Sequence, residues 1–166
     1  MVDTLTGLRQ TDFLILDRLT NYDIITLCQS GSARFKILCN ERNFNYLISK
    51  RFLGTLNFKP EHLTWQQYFI RVVNLSERMF KLFGDYFVAG DPEIVDKIIL
   101  VGSRSGPDAG LIQAAKHGYT YLVLRYIRQG GKASKTAVRQ AYLNDHIELA
   151  KTLNKRLGPR DQFKFE

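Results

Sequence analysis

The chain has little of what most catalytic or metal chemistry needs. Among 166 residues there are three histidines, His62, His117 and His146, and no His-Glu-x-x-His or other paired ligand spacing. Zinc sites are built from such spacings, so no metal is expected. Two cysteines, Cys28 and Cys39, are too few for a disulfide scaffold and too far apart for a zinc knuckle. Both are read as small buried hydrophobes in a reducing compartment. No apolar run approaches the ~20 residues of a membrane span. The opening "MVDTLTGLRQTDFLIL" places acid before its apolar run, unlike a secretory leader. An intracellular protein without membrane contact is therefore expected.

Two glycine-rich stretches invite a phosphate-site reading and fail it. "GSRSGPDAG" (Gly102 to Gly110) lacks the Lys-Ser/Thr ending of a P-loop and follows no strand pattern; "GGKAS" (Gly130 to Ser134) lacks the upstream glycine. Both are expected to be loops. Nothing places serine, histidine and acid as a triad. No enzyme activity and no cofactor are expected.

The charge is +8 and the isoelectric point about 9.6. No block of five or six like charges occurs, and opposite charges are interspersed, which reads first as a solvated basic surface. Hydrophobic residues make up 45% and aromatics 12%, a globular composition.

What is present is repetition. "AAKHGYTYLVLRYIRQGG" (Ala114 to Gly131) aligns with "AYLNDHIELAKTLNKRLG" (Ala141 to Gly158) at a shift of about 27. Ala114 falls on Ala141, Gly118 on Asp145, Tyr119 on His146 and Leu122 on Leu149. "VAGDPEIVDKIILVG" fits upstream at a shift of about 28, with Gly90 under Gly118, Ile94 under Leu122 and Val95 under Val123. Each unit predicts a short first helix with small residues, a tight turn and a second helix. The second helices carry apolar stripes: Ile94, Val95, Ile98 and Ile99; Leu122, Val123, Tyr126 and Ile127; Ile147, Leu149, Ala150 and Leu153. A lone pair cannot bury such a stripe, whereas stacked pairs can.

The segments "DHIELAKTL" and "AAKHGYTYLVLRYI" resemble ankyrin repeats, over residues 84–158, as about three units. The period is shorter than the usual ~33 and the Thr-Pro-Leu-His opening is absent. The short period resembles compact ankyrin units of giant DNA viruses.

Upstream, residues 11–54 predict four short helices. Phe13, Leu14, Leu16 and Leu19 mark the first, and Ile24, Ile25, Leu27 and Cys28 the second. Phe35, Leu38 and Cys39 begin a third, and Phe44, Leu47, Ile48 and Phe52 form the last. "ILDRLTNYDIITLC", "RFKILC" and "NFNYLISKRF" resemble, in that order, an F-box, without its Leu-Pro opening and with "QSGSA" inserted. The same residues also fit a small helical cap on the repeat stack. Thr64 is a predicted N-cap for a helix from Trp65 to Asn74, joined or continued by Ser76 to Phe83.

The expected fold is all-α: an F-box-like bundle (1–58), bridging helices (59–83), ankyrin-like pairs (84–158) and a tail (159–166), the bundle packed on the stack. The resemblance implies a non-catalytic interaction module, a viral substrate adaptor of a host cullin-RING ubiquitin ligase. Leu14, Ile15, Leu16, Leu19, Ile24 and Leu27 would dock a Skp-type linker. Tyr119, Tyr121, Arg125, Arg128 and Lys132, read as exposed, would hold an unknown target protein. Host cytoplasm, nucleus or virion would be its location. The alternative is a basic nucleic-acid-binding or virion-packaged structural protein, using Arg125, Arg128, Lys132, Lys135 and Arg139.

Overall fold

The computed structural model describes residues 9–87 and 89–165. It is all-α, with no strand among the described residues. The chain divides into two compact units, the first running to Pro92 and the second from Glu93.

The first unit begins with α1 (Arg9–Arg18), α2 (Asn21–Gln29), α3 (Ala33–Lys36) and α4 (Glu41–Arg51). A 3-10 turn (Leu53–Phe58) leads through a loop at Lys59-Pro60 to α5 (Trp65–Phe83). Local chemistry sets the boundaries. Thr20 opens α2 with a capping box: the Asp23 N–H donates to its Oγ1 at 3.1 Å, and its own N–H donates to the Asp23 carboxylate at 3.0 Å. Thr64 and Gln67 repeat the device at α5. Gly84, at φ 72°, ends α5 in the left-handed conformation that suits glycine. The predicted pair of segments around Ser76 is thus one helix of 19 residues.

Long-range polar contacts then tie the helices. The Arg51 guanidinium, on α4, donates to the Leu16 and Leu19 carbonyls at 2.8 Å each, and also to the Asn21 side chain. It thereby adds a charged donor to carbonyls at the end of α1, where helix termini lack partners. Tyr46 and Lys50 both donate to the Asp17 carboxylate; the Lys50 bond holds the Asp17 pKa below its ordinary value. The Glu41 carboxylate accepts the Trp65 N–H at 2.8 Å, coupling the start of α4 to the start of α5. Phe44, Leu47, Ile48, Phe69, Val72 and Met79 fill the core between α4 and α5. Tyr68 is buried with them, its hydroxyl donating to the Thr55 carbonyl at 2.6 Å. Burial pushes its pKa up to about 12.

Two expectations fail in this unit. Cys28 and Cys39 form a disulfide, with Cα atoms 5.6 Å apart, rather than two free thiols. Their separation of 11 in sequence gave no hint, because the turn after α3 brings Cys39 back to the end of α2. The apolar face of α1 is also narrower than the pattern implied. Leu16 is buried together with Asp12, whereas Leu14 points to solvent.

The second unit is α6 (Pro92–Ser105), α7 (Pro107–Lys116), α8 (Thr120–Arg128), α9 (Lys135–Leu143) and α10 (Ile147–Asn154), with Pro92 at the join. α7 pairs with α8, α9 with α10, and α7 lies beside α9. Ala114, Ala115, Ala137 and Ala141 are fully buried, and their small side chains let these first helices approach closely. The repeat reappears in the hydrogen bonds. The Tyr119 N–H donates to the Ala114 carbonyl at 3.0 Å, and the His146 N–H to the Ala141 carbonyl at 2.9 Å. Gly118 (φ 73°) and Asp145 (φ 63°) both take the left-handed conformation.

Among the described residues two complete pairs are present, not three. Those between Gly84 and Asp91 form no helix, so no short first helix directly precedes α6 in the chain. "GSRSGPDAG" is not a loop either: α6 and α7 meet there with a single break at Gly106, φ 91°. Its glycines answer to packing. A Cβ at Gly102 or at Gly110 would overlap the Tyr126 ring, which lies across both backbones and donates its hydroxyl to the Ile98 carbonyl at 3.2 Å. The tail packs back as a last cover. Asn154 exchanges hydrogen bonds with the Phe163 backbone at 2.7 and 2.9 Å.

Candidate functional site

The residues expected to dock a linker separate by burial. Leu16 is 2% exposed and Ile24 1%, so neither offers a surface. With the half-buried Leu19 and Leu27 they line one small apolar gap beside Phe35, Leu38 and the Cys28–Cys39 disulfide. Ile15 is half-buried. Leu14 alone of the six is open, at 61%. The pattern failed here because a short amphipathic helix has one apolar stripe. A stripe that fills the bundle's own core cannot also be presented outward.

In the second unit the structure brings three of the five expected contacts together. The Tyr119 and Tyr121 rings meet edge to face at 6.0 Å, and the Arg125 guanidinium lies 5.0 Å from the Tyr121 ring centre. Both tyrosines are half-buried, and burial raises the Tyr121 hydroxyl pKa. Arg125, expected to be exposed, is only 8% so: it sits on the buried side of α8 with Leu122 and Tyr126. Arg128 is exposed at the end of α8. Lys132 is exposed but elsewhere, in a cleft between the loops that follow α8 and α10, with Arg156 and Asp161. Its backbone N–H donates to the Asp108 carboxylate at 2.7 Å, fixing that loop to the start of α7. Lys135 and Arg139 are exposed on α9.

The histidines are placed by the turns. The His146 ring rests on Gly118, where a Cβ would collide with it. His117 stands at the preceding turn, and burial followed by the neighbouring Lys116 lowers its pKa. Among the described residues, no group of three or more His, Cys, Asp or Glu side chains is placed to hold a metal ion. Nor is any helix among them long and apolar enough to cross a membrane.

One grouping escaped the sequence reading, which took Lys135 and Arg139 only as members of a basic set for nucleic acid. Lys135, Thr136, Arg139, Gln140 and Leu143 form the outward stripe of α9, and Phe163 of the returning tail stands beside it, so that the six line an open groove. The stripe was legible in principle, since Ala137, Val138 and Ala141 bury the opposite face. The contribution of Phe163 was not, because only folding returns the tail. Comparison with known protein families, curated proteins and solved structures finds no match.

Proposed function

We propose that this chain is a non-catalytic protein-recognition module that holds a partner on the outward face of its helix-pair unit. The observation supporting this is the duplication of the helix pair. Two pairs use their apolar faces on one another, and their outward stripes stay open with basic and aliphatic side chains, beside the half-buried tyrosines at the start of α8. The experiment is cross-linking of the full chain in its native cell, beside a Tyr121→Ser/Arg128→Glu variant. A defined protein partner lost in the variant is the expected result. A partner set that the variant leaves unchanged, or a hydrolytic activity of the purified chain, defeats the reading.

The finer reading is a substrate adaptor of a cullin-RING ubiquitin ligase, as the resemblance to F-box and ankyrin-like viral proteins suggests. In its favour stands the exposed Leu14, with Tyr22 exposed on α2 and Ile15 half-open. Leu16 and Ile24 take no part in it, since docking them would open the core. Leu14→Asp is expected to abolish binding to a Skp-type linker without unfolding the unit, whereas Leu16→Asp unfolds it. Linker binding that is absent in the parent, or retained in Leu14→Asp, sinks the adaptor role.

A further inference from the structure

On the reading that the second unit recognises a protein, we propose that the groove between α9 and the returning tail takes an acidic segment of that partner, with carboxylates on Lys135 and Arg139 and an apolar side chain against Leu143 and Phe163.

The argument starts from a local conflict. Lys135, Arg139 and Leu143 occur at i, i+4 and i+8 on one helix face. Like charges one turn apart repel and work against the helix. Among the described residues, no carboxylate lines the groove to answer them. A large aliphatic side chain at the end of the same stripe, Leu143, is 61% exposed. Neither feature is buried in the fold: α9 buries Ala137, Val138 and Ala141 and sets Tyr142 against the tail. Local rules broken without a compensating gain mark functional surfaces.

The groove is also held in shape. Asn154 pins the Phe163 backbone in both directions. The Tyr142, Phe163 and Phe165 rings pack on one another at 5.3 to 5.6 Å between centres. A wall fixed before binding lowers the ordering cost of association. An acidic segment supplies what the stripe lacks. Two Glu residues one helical turn apart have a spacing of about 5–6 Å between Cβ atoms, the same as Lys135 and Arg139.

Protein fits better than nucleic acid. Base stacking needs free ring faces, and these three rings are tilted or edge-on against each other. A phosphate backbone gains nothing from an exposed Leu143. The neighbouring cations Lys132 and Arg156 share their cleft with Asp161, so they do not extend the groove into a uniformly basic track.

The test is fluorescence anisotropy on the full chain with three labelled probes. These are a short helical peptide with two Glu residues one turn apart beside a Leu, its Gln counterpart, and a single-stranded oligothymidylate. The Glu peptide is expected to bind about tenfold or more tighter than the Gln peptide. The Lys135→Gln/Arg139→Gln variant should remove that margin while its thermal unfolding stays level or rises. Leu143→Ser should weaken both peptides. Equal binding of the two peptides overturns the proposal, as does an oligothymidylate that binds more tightly than the Glu peptide and competes with it. A margin that survives Lys135→Gln/Arg139→Gln but falls with Arg128→Gln overturns this groove and leaves protein recognition by the unit standing.

Discussion

The N-terminal unit is tied by contacts that each occur once. One disulfide joins α2 to the turn after α3, one arginine closes the end of α1, and one glutamate joins α4 to α5. The C-terminal unit is tied by contacts that recur: the same turn bonds in both pairs and the same small residues between first helices. Charge differs as well. The residues to Pro92 hold eleven Lys and Arg against nine Asp and Glu, and those from Glu93 hold thirteen against seven. A core built from unique ties uses its few apolar stripes on itself. Repetition fixes a core with fewer kinds of contact and leaves a regular outward surface with surplus positive charge. The difference explains why the face expected to dock a linker became core while the α9 stripe stayed open.

The largest expected effect breaks the repetitive side. Gly110→Val forces a branched side chain into the space of the Tyr126 ring and should cost about 3 kcal/mol or more, enough to melt the unit. Circular dichroism should show loss of only part of the helix signal. Trp65, the single tryptophan, lies in the other unit, so its fluorescence should keep the parent's unfolding midpoint. A coincident shift of both signals would mean that the two units do not fold independently.

Next comes the disulfide. Cys28→Ser/Cys39→Ser should destabilise the first unit by about 2–3 kcal/mol for a loop of this length, read as a lower Trp65-monitored midpoint, and leave the C-terminal transition in place. An unchanged Trp65 midpoint would remove the disulfide from the ties that define the first unit. Arg51→Met should cost about 2 kcal/mol in the same assay, because it leaves the Leu16 and Leu19 carbonyls without their charged donor. The smallest effect runs the other way. Asp145 holds a left-handed conformation at the position where the earlier turn has Gly118. Asp145→Gly should therefore raise C-terminal stability by at most about 1 kcal/mol, read as a small gain in the circular dichroism midpoint. A loss instead would show that the two turns are not equivalent.

Much of the second unit was legible because its signals are local and appear twice. Gly118 and Asp145, Ala114 and Ala141, and Leu122 and Leu149 occupy matching places in the structure as they do in the sequence. The capping Thr64 in the first unit was equally plain. The disulfide was not, since two cysteines among apolar residues look the same bonded or free. Gly102 and Gly110 looked like loop residues because no local signal announces the Tyr126 ring, which belongs to the next helix but one after α6 and reaches both glycines only when α8 packs.

The order of residues by itself determined the helices, their caps and the repeat of the helix pair, because hydrogen bonds and side-chain periodicity within one or two turns decide those features. Tertiary structure decided which apolar stripes are core, which cysteines are joined and where Phe163 stands against α9. Burial is a property of what arrives from elsewhere in the chain, and a stripe such as Leu16 and Ile24 reads the same whether it faces a neighbour or solvent.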